Sequence, residues 1–414
     1  MGARRLSARW VLPVDHPPHR RGALLIGADG RIVAVGPDET VPRPANVPAE
    51  DFGDALLLPG LINSHTHLEL TGMGGEPPSA DFAGWIRRLR EAKAARGADD
   101  FLAAARRGLA DCWAAGVTTV ADTGDSGAVI QALAEARGSG IAYQEVFGPH
   151  PGQVEESLRG LQQRVEALSG YAGGRVRMGV SPHAPYTVSG PLYCAAAEWG
   201  GAMGLPLAVH LAESPAETAL LATGEGPFAE AWRGRGIPAP DPLGATPVEW
   251  LGRHGVLTPR TLCIHVVQAT AADISRLADH GCAVAHCPLS NRAHGHGDAP
   301  LARLLDAGIR VGVGTDSVVS VGELDILADT RAARTLASLA PARALALCTL
   351  DGARALGLDG EIGSFTPGKW ADCVAIRMAE GTSSPEEMVL ASDPRDVLAT
   401  FVGGRDVYRN SPPQ

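Results

Sequence analysis

Lysine is almost missing from these 414 residues: Lys93 and Lys369 are the only two. Arginine carries nearly all the positive charge. Lys+Arg 36 against Asp+Glu 46 leaves a formal charge of −10. An acidic balance with no basic block argues against a nucleic-acid or anionic-membrane surface. It leaves a phosphate-free nucleoside open as a substrate. Cysteine is sparse as well. The seven are scattered, odd in number and without a Cys-x-x-Cys pair. That pattern excludes a disulfide framework and a structural zinc knuckle, and it fits a reducing cytoplasm. No apolar run is long enough to span a membrane. Arg9, Asp15 and His16 interrupt the N-terminal stretch, so no signal peptide is expected.

What is present is enough for a sizeable core. Apolar residues make up 45% of the chain, whose length allows one large domain and a small one. Short strands open the sequence. Ala23–Ile26 and Arg31–Val35 flank Gly27-Ala28-Asp29-Gly30, a hairpin signal, and Pro37–Pro48 reads as a loop. The same style returns at Ala371–Ile376, Val397–Val402 and Val407-Tyr408. Neither end can bury a core alone. The two are expected to pair into one small β-sandwich domain, residues 1–58 and 362–414, with residues 59–361 inserted between them. That middle alternates strand and helix. Strand-like runs at Val117–Asp122, Ile141–Val146, Val176–Val180, Leu207–His210, Leu262–His265, Ala283–His286 and Ile309–Val313 follow the one before His65. Helix-like stretches cover Asp99–Ala115, Val129–Ala136 and Val154–Leu168. Eight β/α units predict an α/β fold, a TIM barrel, and apolar strands buried on both faces agree with it.

In such a barrel the chemistry sits at the C-terminal ends of the strands. The apolar run Ala55–Ile62 leads into Asn63-Ser64-His65-Thr66-His67. Side chains two apart at a strand end point the same way, so His65 and His67 form half of a metal site. Strand four runs into Ser181–Tyr186, which holds His183. Strand five ends in His210 with Glu213 three residues on. Strand six ends in His265, and strand eight in Gly314-Thr315-Asp316-Ser317. Any one of these has a bland reading as a cap or a core histidine. Together they point to a metal-dependent hydrolase.

The ordered motifs resemble the amidohydrolase superfamily, in its deaminase and chlorohydrolase branch. They are Leu58-Pro59-Gly60-Leu61-Ile62-Asn63-Ser64-His65-Thr66-His67, His210-Leu211-Ala212-Glu213, Cys287-Pro288-Leu289-Ser290-Asn291, Gly314-Thr315-Asp316-Ser317, and Gly363-Ser364-Phe365 with Lys369-Trp370-Ala371-Asp372. The resemblance implies a distorted (β/α)8 barrel and metal ligands His65, His67, His210 and Asp316. It also implies Glu213 as general acid/base and His265 as proton relay, with Asp316 taking part in catalysis. Binuclear members bridge their metals with a carboxylated lysine. Lys93 lies in a charged helix-like stretch and Lys369 in the tail, so one divalent ion per chain is expected, Zn²⁺ first and Fe²⁺ second. The chemistry implied is attack of a metal-activated water on a ring carbon that bears an amino group.

The segment after His67, with Glu69 and Phe82-x-x-Trp85, is most similar to the aminodeoxyfutalosine deaminases of menaquinone biosynthesis. Their substrate is a 6-aminopurine nucleoside with a carboxyphenyl-propanone tail. On that resemblance Glu69, Trp85 and His183 are substrate contacts, and Ser290 and Asn291 order the loops. His286 is expected to face outward, and His294 and His296 are not expected to be ligands. Leu289 stands where relatives carry an arginine, so Arg292, Arg87 or Arg88 would have to meet a substrate anion. The alternatives are a deaminase of S-adenosylhomocysteine, methylthioadenosine or adenosine, a triazine chlorohydrolase or aminohydrolase, and a non-catalytic binding barrel. A cytoplasmic homodimer is the cellular expectation.

Overall fold

The computed structural model describes residues 2–73, 78–79, 81–378 and 384–410. Positions 74 and 75, part of the loop noted after His67, lie outside them. Eight parallel strands follow one another in chain order around a barrel: Leu61–Thr66, Val117–Gly124, Gly140–Val146, Val176–Pro182, Leu207–Leu211, Thr261–His265, Ala283–His286 and Arg310–Val313. A parallel bridge between Thr66 and Asp316 brings the last strand back to the first. The Asp316 N–H donates to the His65 carbonyl at 3.0 Å. Barrel closure therefore sets two of the predicted site residues side by side.

The period-two alternation of the strands sorts their side chains. Ala283, Ala285 and Cys287 join Ile62, Ala121, Ile141, Ala208, Leu262 and Ile264 inside the barrel. Val120, Val209, Cys263, Val284 and Val311 belong to the larger cluster formed with the surrounding helices. His286 alternates with the inward alanines and so faces out, in agreement with the sequence. Ala353, Leu356, Leu358 and Ile362 complete the interior cluster.

The apolar run Ala55–Ile62 is not one strand. Ala55–Pro59 belongs to the end sheet and Leu61–Thr66 to the barrel. They part at Gly60, where a Cβ would stand 2.2 Å from the Thr118 side chain. Only glycine permits that approach. Ala55–Pro59 pairs antiparallel with Cys373–Arg377 and so joins the two chain ends. Where the sequence suggests a sandwich, the hydrogen bonding runs through one continuous eight-stranded mixed sheet. The cysteines are all unpaired. Among the described residues no helix is long and apolar enough to cross a membrane.

Candidate active site

The first barrel strand carries a bulge. Between Asn63 and Thr66 it advances three residues, while its partner advances two, from Val120 to Asp122. Such an extra residue re-aims the side chains beyond it. His65 and His67 end with ring centroids 4.8 Å apart, and His210 lies 4.9 Å from His65. Asp316 Oδ1 is 3.6 Å from His65 Nε2 and 3.5 Å from His67 Nε2. One ligand atom each from His65, His67 and Asp316, or from His65, His210 and His265, falls within 4.8 Å of the others. The residues come from strands one, five, six and eight.

Hydrogen bonds fix how the rings are presented. His67 Nδ1 meets the Thr123 carbonyl at 2.8 Å and His210 Nδ1 meets the His183 carbonyl at 3.1 Å. Each Nδ1 is thus the protonated nitrogen, and each Nε2 is left as a lone-pair donor. Both ring nitrogens of His65 are buried without a hydrogen-bond partner. Burial, reinforced by the neighbouring imidazoles, drives His67 down to about 3 and His210 well below the usual range, so both are neutral. Burial alone would raise Asp316, but the surrounding histidines hold it well below the carboxylate range. Ser290 Oγ donates to Asp316 Oδ2 at 2.5 Å, and Asn291 Oδ1 accepts from His265 Nδ1 at 2.9 Å.

Glu213 faces this cluster. Its Oε1 is 3.5 Å from His265 Nε2, and the Tyr186 hydroxyl donates to its Oε2 at 2.8 Å. Burial pushes its carboxyl well above the usual range, against the lowering effect of Tyr186. A carboxyl whose pKa is raised next to a metal-type cluster suits general-acid work.

Strained backbone collects here. Ala212, His265, Val266 and Asp316 all have positive φ, at 50°, 71°, 51° and 62°. Non-glycine residues in that region cost about 1–3 kcal/mol each and persist only when held by their surroundings. One such hold is visible. Glu217, fully buried, accepts the backbone N–H groups of Ala212 and Glu213, both at 2.8 Å. It secures the reversal between His210 and Glu213.

The pocket over the cluster is walled by Leu70, Phe82, Trp85, Ile86, Leu89 and Phe147, and His183 and Glu145 line it too. The helix Phe82–Ala94 supplies most of this wall along one face. His183 keeps Nδ1 on Thr187 Oγ1 at 2.8 Å. Trp85 and His183 both line this pocket. Glu69 does not. It is 1% exposed and absent from the pocket wall, and it is bound by Lys93 Nζ at 2.7 Å and by Ser126. Glu69 is an ion-pair partner of Lys93 and not part of the pocket wall. Arg292 pairs with Asp298 at 3.0 Å and neither Arg87 nor Arg88 lines the pocket; Arg90 does.

Several residues escaped sequence reasoning. Asp122 accepts from Thr66 Oγ1 at 2.8 Å and from Leu68 N at 2.6 Å, bracing the His-x-His turn. Its position at the end of strand two could have revealed it. His294 lines the pocket and lies 4.5 Å from Trp85, and His296 Nδ1 comes within 4.0 Å of Glu213. Both belong to the segment that follows strand seven, and His294 alone of the two lines the pocket.

A (β/α)8 barrel with three histidines and an aspartate gathered at its strand ends, beside a buried glutamic acid, defines a class of barrel hydrolases. The chain belongs to the amidohydrolase family, whose model matches residues 56–407. It is 31% identical to a 5-methylthioadenosine/S-adenosylhomocysteine deaminase of Moorella thermoacetica, an alignment covering 98% of this chain and 94% of that one. It is also 31% identical to an aminodeoxyfutalosine deaminase of Deinococcus radiodurans over 76% of each. Among solved structures, an adenosine deaminase from Xanthomonas campestris with bound zinc superposes with a TM-score of 0.84 at 24% identity, covering 97% of this chain and 92% of that one. The aminofutalosine deaminase of Helicobacter pylori, in complex with methylthio-coformycin, gives 0.83 at 21%, covering 98% and 100%. Those two likenesses concern the fold. This protein is a hydrolytic enzyme acting on a C–N bond.

Proposed function

We propose that the protein is a mononuclear metal-dependent aminohydrolase that deaminates a 6-aminopurine nucleoside, with aminodeoxyfutalosine as its substrate. The observation that carries the reading is Glu213, a buried carboxyl that accepts from Tyr186 and faces the histidine–aspartate cluster. The donor set fits a divalent cation. His65 has two ring nitrogens without a hydrogen-bond partner, His67 and His210 have their Nδ1 committed elsewhere, and Asp316 is ionised. His65, His67, His210 and Asp316 would hold the ion. When bound, it supplies Lewis acidity that lowers the pKa of water; Zn²⁺ suits the set, as does Fe²⁺.

The chain's own groups do the proton work. Glu213 donates its proton to the ring nitrogen beside the amino-bearing carbon, which makes that carbon electrophilic. Asp316 Oδ1 accepts a proton from the attacking water. His265 Nε2, oriented by Asn291, hydrogen-bonds the oxygen that adds. The amino group takes up the proton held on Asp316 and leaves as ammonia, while the added hydroxyl returns a proton to Glu213 and becomes the ring carbonyl. His183 directs Nε2 toward the nucleoside, and Trp85 with Phe82 gives its apolar parts a wall. The apolar lining and the Deinococcus relative support aminodeoxyfutalosine. The longer match to the Moorella enzyme favours a second reading, methylthioadenosine or S-adenosylhomocysteine. A cytoplasmic location accords with the unpaired cysteines.

Ammonia release from aminodeoxyfutalosine, S-adenosylhomocysteine, methylthioadenosine and adenosine tests the assignment. The expected kcat/KM favours the first by about tenfold or more, which corresponds to about 1.4 kcal/mol of transition-state binding. Equal or better turnover of S-adenosylhomocysteine would establish the second reading. No turnover of any of the four would refute deamination of nucleosides.

A further inference from the structure

The pocket does not end at its apolar wall. Arg90, Phe147 and Thr187 line both it and an outer cleft of about 460 Å³, completed by Gly148, Pro149, His150, Gln153, Arg235 and Ile237. The helix Phe82–Ala94 after strand one and segments after strands three, four and five build this cleft. Its charge is one-sided. Two arginines and a histidine line it, and no aspartate or glutamate does among the described residues, in a chain that is acidic overall. Arg90 has no hydrogen-bond or ion-pair partner among the described residues. Arg235 uses Nε on the Ala231 carbonyl at 3.1 Å, which leaves its terminal nitrogens to the cleft. Phe147 stands between the two sites, 37% exposed, with its ring 5.0 Å from that of His183. An exposed aromatic at the exit of a buried pocket offers a shelf for a flat apolar group. Unneutralised guanidinium groups beyond it suit a carboxylate.

We propose that this cleft is a subsite for the substrate's tail, in which Phe147 packs against an aromatic ring and Arg90 and Arg235 bind a carboxylate on that ring. The absence of an acidic partner sets the preference further. An aryl carboxylate brings one negative charge, whereas an amino-acid tail brings an ammonium that the cleft repels. The subsite therefore selects an anionic aromatic tail over both a neutral and a zwitterionic one. It supplies the arginines that Leu289 leaves wanting, from positions the motif pattern does not mark.

This inference rests on the nucleoside deaminase reading above and is tested separately from it. Two adenosine derivatives are compared that differ only at the end of a 5′-linked phenyl tail, one a carboxylate and the other a carboxamide. The wild-type holoenzyme should favour the carboxylate by about tenfold or more in kcat/KM, and the margin should shrink as salt rises. In the double variant Arg90→Gln, Arg235→Gln the ratio should fall to near one. Phe147→Ala should weaken both probes together. General damage lowers both and leaves the ratio unchanged, so a ratio that survives the double substitution overturns the proposal, as does a wild-type ratio near one. If neither probe releases ammonia, the deaminase reading fails. The ratio of the two probes' Kd values, measured by calorimetry on wild type and double variant, then decides the subsite in the same way.

Discussion

Single residues at strand ends carry most of what can be read from this chain without a structure. His65, His67, His210, His265 and Asp316 stand out because polar, metal-competent residues are poorly explained at the ends of apolar strands. Glu69 shows where that logic stops. Its partner Lys93 lies 24 positions on, on another element, and nothing local announces the pairing. His286 teaches a different lesson. It is fully buried on the outer face of strand seven, with both ring nitrogens unpartnered. Burial lowers it from 6.5 to about 4, so it is neutral in the folded protein while the unfolded chain takes up a proton below about 6.5. Its contribution to stability is complete above that pH and is lost as pH falls toward about 4, by about 3 kcal/mol in all. His286→Leu removes the titration and keeps an apolar side chain of similar size. Urea unfolding of wild type and variant between pH 7.5 and 4 should show a shallower fall for the variant. Parallel curves would contradict this account of His286.

At the scale of elements, barrel strands and several helices are legible. Val154–Leu168 is the helix that its spacing predicts, and Ala98–Ala114 differs by one residue at each end. The helix Phe82–Ala94 is only half legible, since its charged stretch marks helix but not where the helix lies. Its position is decided by long-range contacts. Asp81 caps its start by accepting from Gly84 N at 3.0 Å. Lys93 in its last turn bonds Glu69 and Asp125, at 2.7 and 2.6 Å. Burial would lower Lys93, but Glu69, Asp125 and Glu145 more than offset this and keep it firmly protonated. One of the two lysines in the chain is thus the clamp that lays the pocket wall over the site. Lys93→Met leaves Glu69 buried without its counter-ion. We expect a loss of about 3 kcal/mol in urea unfolding. KM should rise more than kcat falls, with metal content unchanged. Unaltered stability and KM would show that the clamp does not hold the wall.

The whole molecule is needed to make the centre. Four separate barrel strands contribute His65 and His67, His210, His265 and Asp316, and the closing bridge Thr66–Asp316 joins the first strand to the last. The two chain ends meet across Ala55–Pro59 and Cys373–Arg377, directly before the strand that carries the His-x-His turn. Their meeting is legible from composition, because neither end could bury a core alone. The continuous sheet they form is not, because register depends on partners more than 300 residues apart, such as Leu58 and Val374. Strand four ends in Ser181-Pro182-His183, with no lysine to bridge two metals. Metal content therefore reports on the assembled barrel, and it can be read together with the chemistry. The measurement that bears most directly on the central claim pairs elemental analysis with ammonia release for wild type and Glu213→Gln, both prepared with metal retained. About one divalent ion per chain is expected in each, with a fall in kcat of about 10²–10⁴-fold in the variant. Two bound ions per chain, or near-normal turnover by the metal-loaded variant, would contradict the claim.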